Sequence, residues 1–232
     1  MKIAIMQPYF LPYIGYFQLM NVVDKFILYD DVNYINRGWV NRNRILINGQ
    51  PNLVTIPLIQ ATQNKLINEI EVSNEGKWKE KLLKKIRLAY AKAPFFKIVF
   101  PILEKIINTP EKKVSIFIAF SLRQINEYLE LPTIIQETST IYKNNNLKGQ
   151  HRILDICMKE NAQTYINPFS GKELYDKRLF KEKGVELFFL KPQIILYSQF
   201  KTPFVPFLSI IDVMMFNPIN KIKQFLTEYE RK

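Results

Sequence analysis

Asp30-Asp31 closes an apolar run, Lys25 to Tyr29. Adjacent carboxylates at the end of a buried strand suit a general base, an acceptor for sugar hydroxyls or a ligand for Mg²⁺. The competing reading is an acidic turn that binds nearby backbone N–H groups. Downstream, Arg42 and Arg44 alternate with Asn41 and Asn43. In an extended segment residues two apart share a face, so the guanidiniums stand side by side, as bidentate binding of a diphosphate or carboxylate requires. Pairing with Asp30 or Asp31 is the alternative. Asn41 and Asn43 face the other way, to cap turns or bind ligand.

Further on, His151 and Arg152 open a helical stretch with Asp155 one turn away. His151 and Asp155 make a candidate general base and its orienter, although a lone histidine near a helix start is more often structural or merely exposed. Cys157 lies on the inward stripe of the same helix, where a thiol is usually inert. Ser170-Gly171-Lys172 precedes another helical pattern at Leu174; a loop with a lysine at a helix N-terminus fits a phosphate. Asp212 interrupts the apolar run Leu208 to Phe216. A carboxylate there needs a partner or a shifted pKa, and buried pairing with an arginine competes evenly with catalysis.

The elements that must position these residues begin at the N-terminus. Lys2 to Met6 reads as a buried strand. Pro8 and Pro12 bracket a loop, Gly15 permits a close approach or an unusual backbone angle, and a helix runs from Tyr13 to Val22. With the strand Lys25 to Tyr29 this forms a βαβ unit and a parallel pair. Ligands of open α/β sheets gather at the carboxyl ends of strands, so Gln7, Tyr13 and Tyr16 join the substrate-binding candidates. Asn48-Gly49 predicts a type I′ hairpin between Ile45–Ile47 and Leu53–Leu58. Leu66, Ile67 and Ile70 fit a short strand or turn. Lys77 to Ala93 is an amphipathic helix. A second runs from Phe95 to Ile107, kinked or broken at Pro101. A third starts at Thr109-Pro110-Glu111 and ends near Leu129. The second α/β stretch offers strands at Ile134–Ile141, Thr164–Asn167, Val185–Leu190 and Ile194–Tyr197. Helices alternate with them at Lys148–Glu160 and Leu174–Lys183, and a last helix from Asn217-Pro218 reaches Tyr229.

Composition bounds the function. Over 232 residues the formal charge is +12 and the pI about 9.6, which suits an anionic partner without choosing it. One cysteine and one histidine argue against a disulfide framework, a multi-cysteine metal site and a zinc enzyme built on imidazoles; no residue is assigned to a metal. No apolar run reaches the roughly 18–20 residues of a membrane span, and the start lacks a signal peptide's pattern; the cytoplasm is the expected location. The basic helix at Lys77–Ala93 leaves peripheral contact with anionic lipid open. Nucleic-acid binding rests on charge alone and is disfavoured. There is no P-loop, GxGxxG or GxSxG.

Pro12-Tyr13-Ile14-Gly15-Tyr16, between a strand and a helix, resembles the HxGH nucleotidyltransferases, but tyrosines replace both histidines. A neutral phenol does not supply their positive charge, which counts against adenylyl transfer. A closer resemblance spans nearly the whole chain. IAIMQPYFLPYIGYFQLM, VDKFILYDDV, GWVNRNRIL, HRILDIC, TYINPFSGKELYD and LSIIDVMMFN, in that order, resemble the WbqC-like family. The resemblance implies a place in bacterial O-antigen and other surface-polysaccharide synthesis, with a nucleotide-activated sugar or amino sugar as substrate and acyl or aminoacyl transfer as one form. The expected fold is α/β, Rossmann-like: a mostly parallel sheet with an inserted helical middle segment. One domain over 1–232 would comprise an α/β part (1–75), helices (76–132) and a second α/β part (133–232). Arg42, Arg44 and Lys172, with Arg152 and Ser170, are expected at the anion. Asp30, Asp31 or His151 would handle protons. A non-catalytic binder of nucleotide or lipid-linked sugar is the rival. Cofactor and oligomeric state are left open.

Overall fold

The computed structural model describes residues 1–200 and 203–232. Its centre is a six-stranded sheet in the order β10-β9-β8-β1-β2-β7. The strands are β1 (Lys2–Met6), β2 (Lys25–Leu28), β7 (Ile134–Gln136), β8 (Thr164–Pro168), β9 (Glu186–Pro192) and β10 (Tyr229–Arg231). All pairings are parallel except β9 with β10. The βαβ unit forms as expected, with Ile3 opposite Lys25 and Met6 opposite Leu28 around α1 (Ile14–Asn21).

Alternation along the strands sends successive side chains to opposite faces, and each face has its own core. Ala4, Phe26, Leu28 and Ile166 pack toward α1 and the helical segment. Ile3, Ile5, Ile27, Tyr165 and Phe189 pack under α5 (Gly149–Lys159) and α6 (Lys177–Glu182). Strands buried on both faces read as unbroken apolar runs, which is why β1, β2 and β9 were plain in the sequence.

The helical segment is α2 (Trp78–Tyr90), α3 (Phe96–Ile107) and α4 (Val114–Tyr128); α3 contacts both of the others and α7 (Ile210–Phe216). Two expectations change here. Pro101 sits inside an unbroken α3, exposed to solvent and outside the packed core, so the helix does not break there. The third helix starts at Val114, not at Thr109. Residues 109–113 instead run alongside β6 (Glu71–Val72), Val72 N donating to Lys112 O and Val114 N to Ile70 O. Sheet-like pairing outweighs the capping signal.

The hairpin is present: β3 (Arg42–Ile47) and β4 (Gln50–Thr55) turn through Asn48 and Gly49 at φ +53° and +76°. Residues 67–69 form a 3-10 turn, and β5 (Leu58–Ile59) pairs with β6. Further corrections fall in the second α/β stretch. The strand from Ile134 ends at Gln136, because Thr138 and Ser139 turn to meet Asp30. Residues 169–174 make a 3-10 turn, and α6 begins after Asp176, whose side chain accepts from Arg178 N. Ile194–Tyr197 is irregular. The last helix, α8 (Ile219–Phe225), stops early and the chain returns as β10.

Candidate functional site

From β1 the chain builds outward through β2 to β7, then returns to lay β8 and β9 on the other side. The carboxyl ends of β1 and β8 therefore flank the point where strand order reverses, the usual ligand crevice of an open α/β sheet. A cavity of about 460 Å³ lies there. Met6 lines it from β1, Gln7 and Tyr29 from just beyond β1 and β2, and Asn167 and Pro168 from β8. Gly149 and Gln150, the first residues of α5, form another wall. A helix's first N–H groups lack partners within the helix and carry the positive end of its dipole. Ser170, Gly171 and Tyr175 complete the polar and aromatic lining with Tyr9, and Ile5, Ile153 and Leu174 add apolar surface.

Gly171 is required by contact. A Cβ there would stand 2.4 Å from Asn167 Oδ1. Asn167 is buried, its Nδ2 donating to Tyr165 OH at 2.6 Å, so it has no free path away. Burial raises the hydroxyl pKa of Tyr9, Tyr29 and Tyr175 above the ordinary value. The lining thus contains hydroxyls, amides, ring faces and aliphatic side chains, with no side chain charged at neutral pH.

The conspicuous charges lie beside this crevice and are already engaged. Arg152 is buried and donates from Nη2 to Asp31 Oδ2 at 2.5 Å and from Nη1 to the Asp31 carbonyl at 3.2 Å. Its Nε and Nη2 also meet Asn144 Oδ1 and Asn145 Oδ1, both at 2.9 Å. The guanidinium lies 4.9 Å from the Tyr29 ring centroid. Ser139 Oγ bonds the other Asp31 oxygen. Asp30 accepts from Ser139 N at 3.0 Å and Thr138 Oγ1 at 2.8 Å. Burial raises the Asp30 carboxyl pKa despite these hydrogen bonds. The two acids therefore fasten the loop after β7 to the end of β2, and Arg152 bolts α5 to both.

The structure separates the other expected residues. His151 is exposed, and Asp155 accepts from Asn144 Nδ2 at 2.7 Å and from Lys159 Nζ at 2.8 Å instead. Tyr16 is buried, its hydroxyl donating to the Gln7 carbonyl at 3.0 Å. Arg42 and Arg44 neither pair with Asp30 nor with Asp31. Arg42 Nε donates to Gly38 O at 2.9 Å and its Nη2 to Arg37 O. Arg44 is exposed, 5.3 Å from the Trp39 ring, and lines a second cavity of about 190 Å³ with Tyr13. Asn41 accepts from Tyr34 OH, and Asn43 donates to Phe10 O and Leu11 O. Lys172 is exposed beside Phe169. Asp212 meets no arginine: Tyr90, Tyr197 and Gln199 donate to it at 2.8, 2.7 and 2.7 Å. Burial pushes the Cys157 thiol up to about 12, which leaves it protonated. Asn167, Gln150 and Tyr29 also line the cavity without having been candidates; Tyr29 follows an apolar strand, Asn167 lies near the end of β8 and Gln150 opens α5.

No group of three or more His, Cys, Asp or Glu that could hold a metal ion occurs among the described residues. No helix among them is long and apolar enough to cross a membrane.

Fold and crevice together define a doubly wound, open-sheet α/β protein with a cavity at its switch point. The chain belongs to the WbqC-like protein family, whose match spans residues 7–224. It is also similar to an uncharacterized protein of Mycobacterium tuberculosis, Rv1507c, at 28% identity over 216 residues, 92% of each chain. No solved structure matches it significantly.

Proposed function

We propose that the protein is an enzyme of bacterial surface-polysaccharide precursor synthesis that takes a nucleotide-activated sugar or amino sugar into the switch-point crevice. The observation that carries this reading is the cavity itself, about 460 Å³ beneath the first turn of α5. Phosphate oxygens meet the N–H groups of that turn and the Ser170 hydroxyl. Asn167, Gln7 and Gln150 offer amides to sugar hydroxyls, and Tyr29 offers a ring face. Acyl or aminoacyl transfer to a sugar amine suits a neutral lining, since a free amine is itself the nucleophile and hands its proton to water or to the leaving group.

The same neutrality favours a second reading, a non-catalytic carrier of the same ligand. The test is a thermal-shift screen of nucleotide sugars, free nucleotides, acyl-CoAs and a short RNA, followed by turnover assays with the best ligand. Saturation at about 100 times Kd raises stability by ~2.7 kcal/mol, or about 5–10 °C at this chain length. One nucleotide-sugar class giving that shift, weakened in Ser170→Ala, supports the crevice. Product formation then separates enzyme from carrier. A shift with RNA alone, fading with salt, overturns both.

A further inference from the structure

The smaller cavity is the strongest feature that the crevice leaves unexplained. It has an apolar body, formed by the rings of Tyr13, Trp39 and Phe207, and one cation at its edge, Arg44. Trp39 and Phe207 are well exposed, at 39% and 64%. No carboxylate lies within ion-pair distance of Arg44 among the described residues. Its guanidinium is instead stacked near Trp39, an arrangement that leaves the N–H fork open to an oxyanion.

This pocket is built, not incidental. Phe10 N donates to Trp39 O at 3.1 Å, which fixes the tryptophan to the loop after β1. Ser209 N donates to Arg44 O at 2.8 Å, Ser209 Oγ to Leu11 O at 2.7 Å, and Ile210 N to Pro12 O at 2.8 Å. These bonds join the loop, β3 and the start of α7 into one frame. Gly15 lets Tyr13 fold back over the start of α1: a Cβ at Gly15 would stand 2.3 Å from the Tyr13 ring. Asn43 holds the floor, with its amide donating to two carbonyls and its oxygen accepting from Arg44 N. Tyr9 lines this cavity and also the crevice, so the two share a wall.

We infer that the pocket bounded by Tyr13, Trp39, Phe207 and Arg44 is a second binding site, for a small amphipathic anion. Its ligand is a ring or short aliphatic chain carrying a carboxylate or phosphate. A volume of about 190 Å³ matches that size, since an apolar cavity of about 150 Å³ accommodates benzene. The rings enclose the apolar end and Arg44 takes the oxyanion by charge-assisted hydrogen bonds. The inference does not depend on what the crevice takes.

The sequence supplies its own reporter, because Trp39 and Trp78 are the two tryptophans and Trp78 packs elsewhere, against Phe117. In the full chain with Trp78→Phe, emission reports on Trp39 alone. Phenylacetate, phenyl phosphate and hexanoate are titrated against benzyl alcohol and hexanol; the first three distinguish ring from chain and carboxylate from phosphate. Saturable change with at least one anion, with the matched alcohol about tenfold or more weaker, is expected. Arg44→Met keeps the stem and should erase that preference, while Ser170→Ala in the crevice should leave it intact. If Trp78→Phe folds poorly, calorimetry on the unmodified chain with the same probes gives the same comparison. No saturable binding, equal affinity for anion and alcohol, an unchanged preference in Arg44→Met, or a loss in Ser170→Ala equal to that in Arg44→Met overturns the inference.

Discussion

Two neighbouring regions at the carboxyl edge of the sheet use opposite chemistry. Beyond β2, the Asp31–Arg152 pair is charged and closed, with 1% and 6% of its side chains exposed. Between β1 and β8, the crevice is open and its lining is uncharged. Charges taken out of water must be paired and hydrogen-bonded, so two acids and an arginine near one strand end tend to satisfy one another. A ligand crevice needs groups that folding leaves unspent. Asp30, Asp31 and Arg152 therefore act as fasteners, and the opening is lined by uncharged side chains and a helix end.

The sharpest way to break this comparison is Arg152→Met. It strands Asp31 in the interior, and the expected loss is about 3–5 kcal/mol in denaturant unfolding. A variant within about 1 kcal/mol of the parent that has lost crevice binding would instead place Arg152 in the site. A smaller effect is expected from Gly171→Ala. The added methyl forces Asn167 off the Tyr165 hydroxyl, at about 1–2 kcal/mol, and crevice affinity falls as the wall moves. Unchanged affinity, measured by calorimetry, would place the ligand elsewhere.

Buried acids also set a pH dependence. Burial raises the pKa of Asp212 and Asp30 from the ordinary 3.8, so the folded chain holds these protons more tightly than the unfolded one. Their contribution is fully present below 3.8 and is lost as pH rises through the native values, which lie above it. Unfolding midpoints measured upward from pH 4 should show this fall, and Asp212→Asn should flatten it; a contribution that grows with pH would contradict the burial argument. The smallest effect belongs to His151→Ala. The residue is exposed, so stability should stay within about 0.5 kcal/mol. Loss of turnover at unchanged stability would bring His151 into the chemistry and weaken the view of a neutral site.

Much of the fold was legible because its signals are local. The apolar runs of β1, β2 and β9 announce strands buried on both faces, and Asn48-Gly49 fixes its hairpin. What eluded the sequence is tertiary. The pairing of residues 109–113 with β6 displaced a sound capping signal, and nothing local marks β10 as a strand. Of the candidate residues, Gln7 and Ser170 line the cavity between β1 and β8. Arg152 and Asp31 lie 121 positions apart in the chain, so their mutual neutralisation cannot be read from spacing. Asp212 shows the same limit: its partners Tyr90 and Tyr197 converge from separate segments.

The antiparallel β10 has a consequence for self-association. It covers Leu190, Lys191 and Pro192 of β9, while Lys232 and Phe189 exchange backbone hydrogen bonds. On this short guard strand Glu230 pairs with Lys232, so what faces outward is charged. The opposite border, β7, has only three residues. A sheet with long bare borders would template strand addition from a second molecule. Removing residues 229–232 would uncover the backbone of Phe189 to Pro192 and should make association rise with concentration, as light scattering would show.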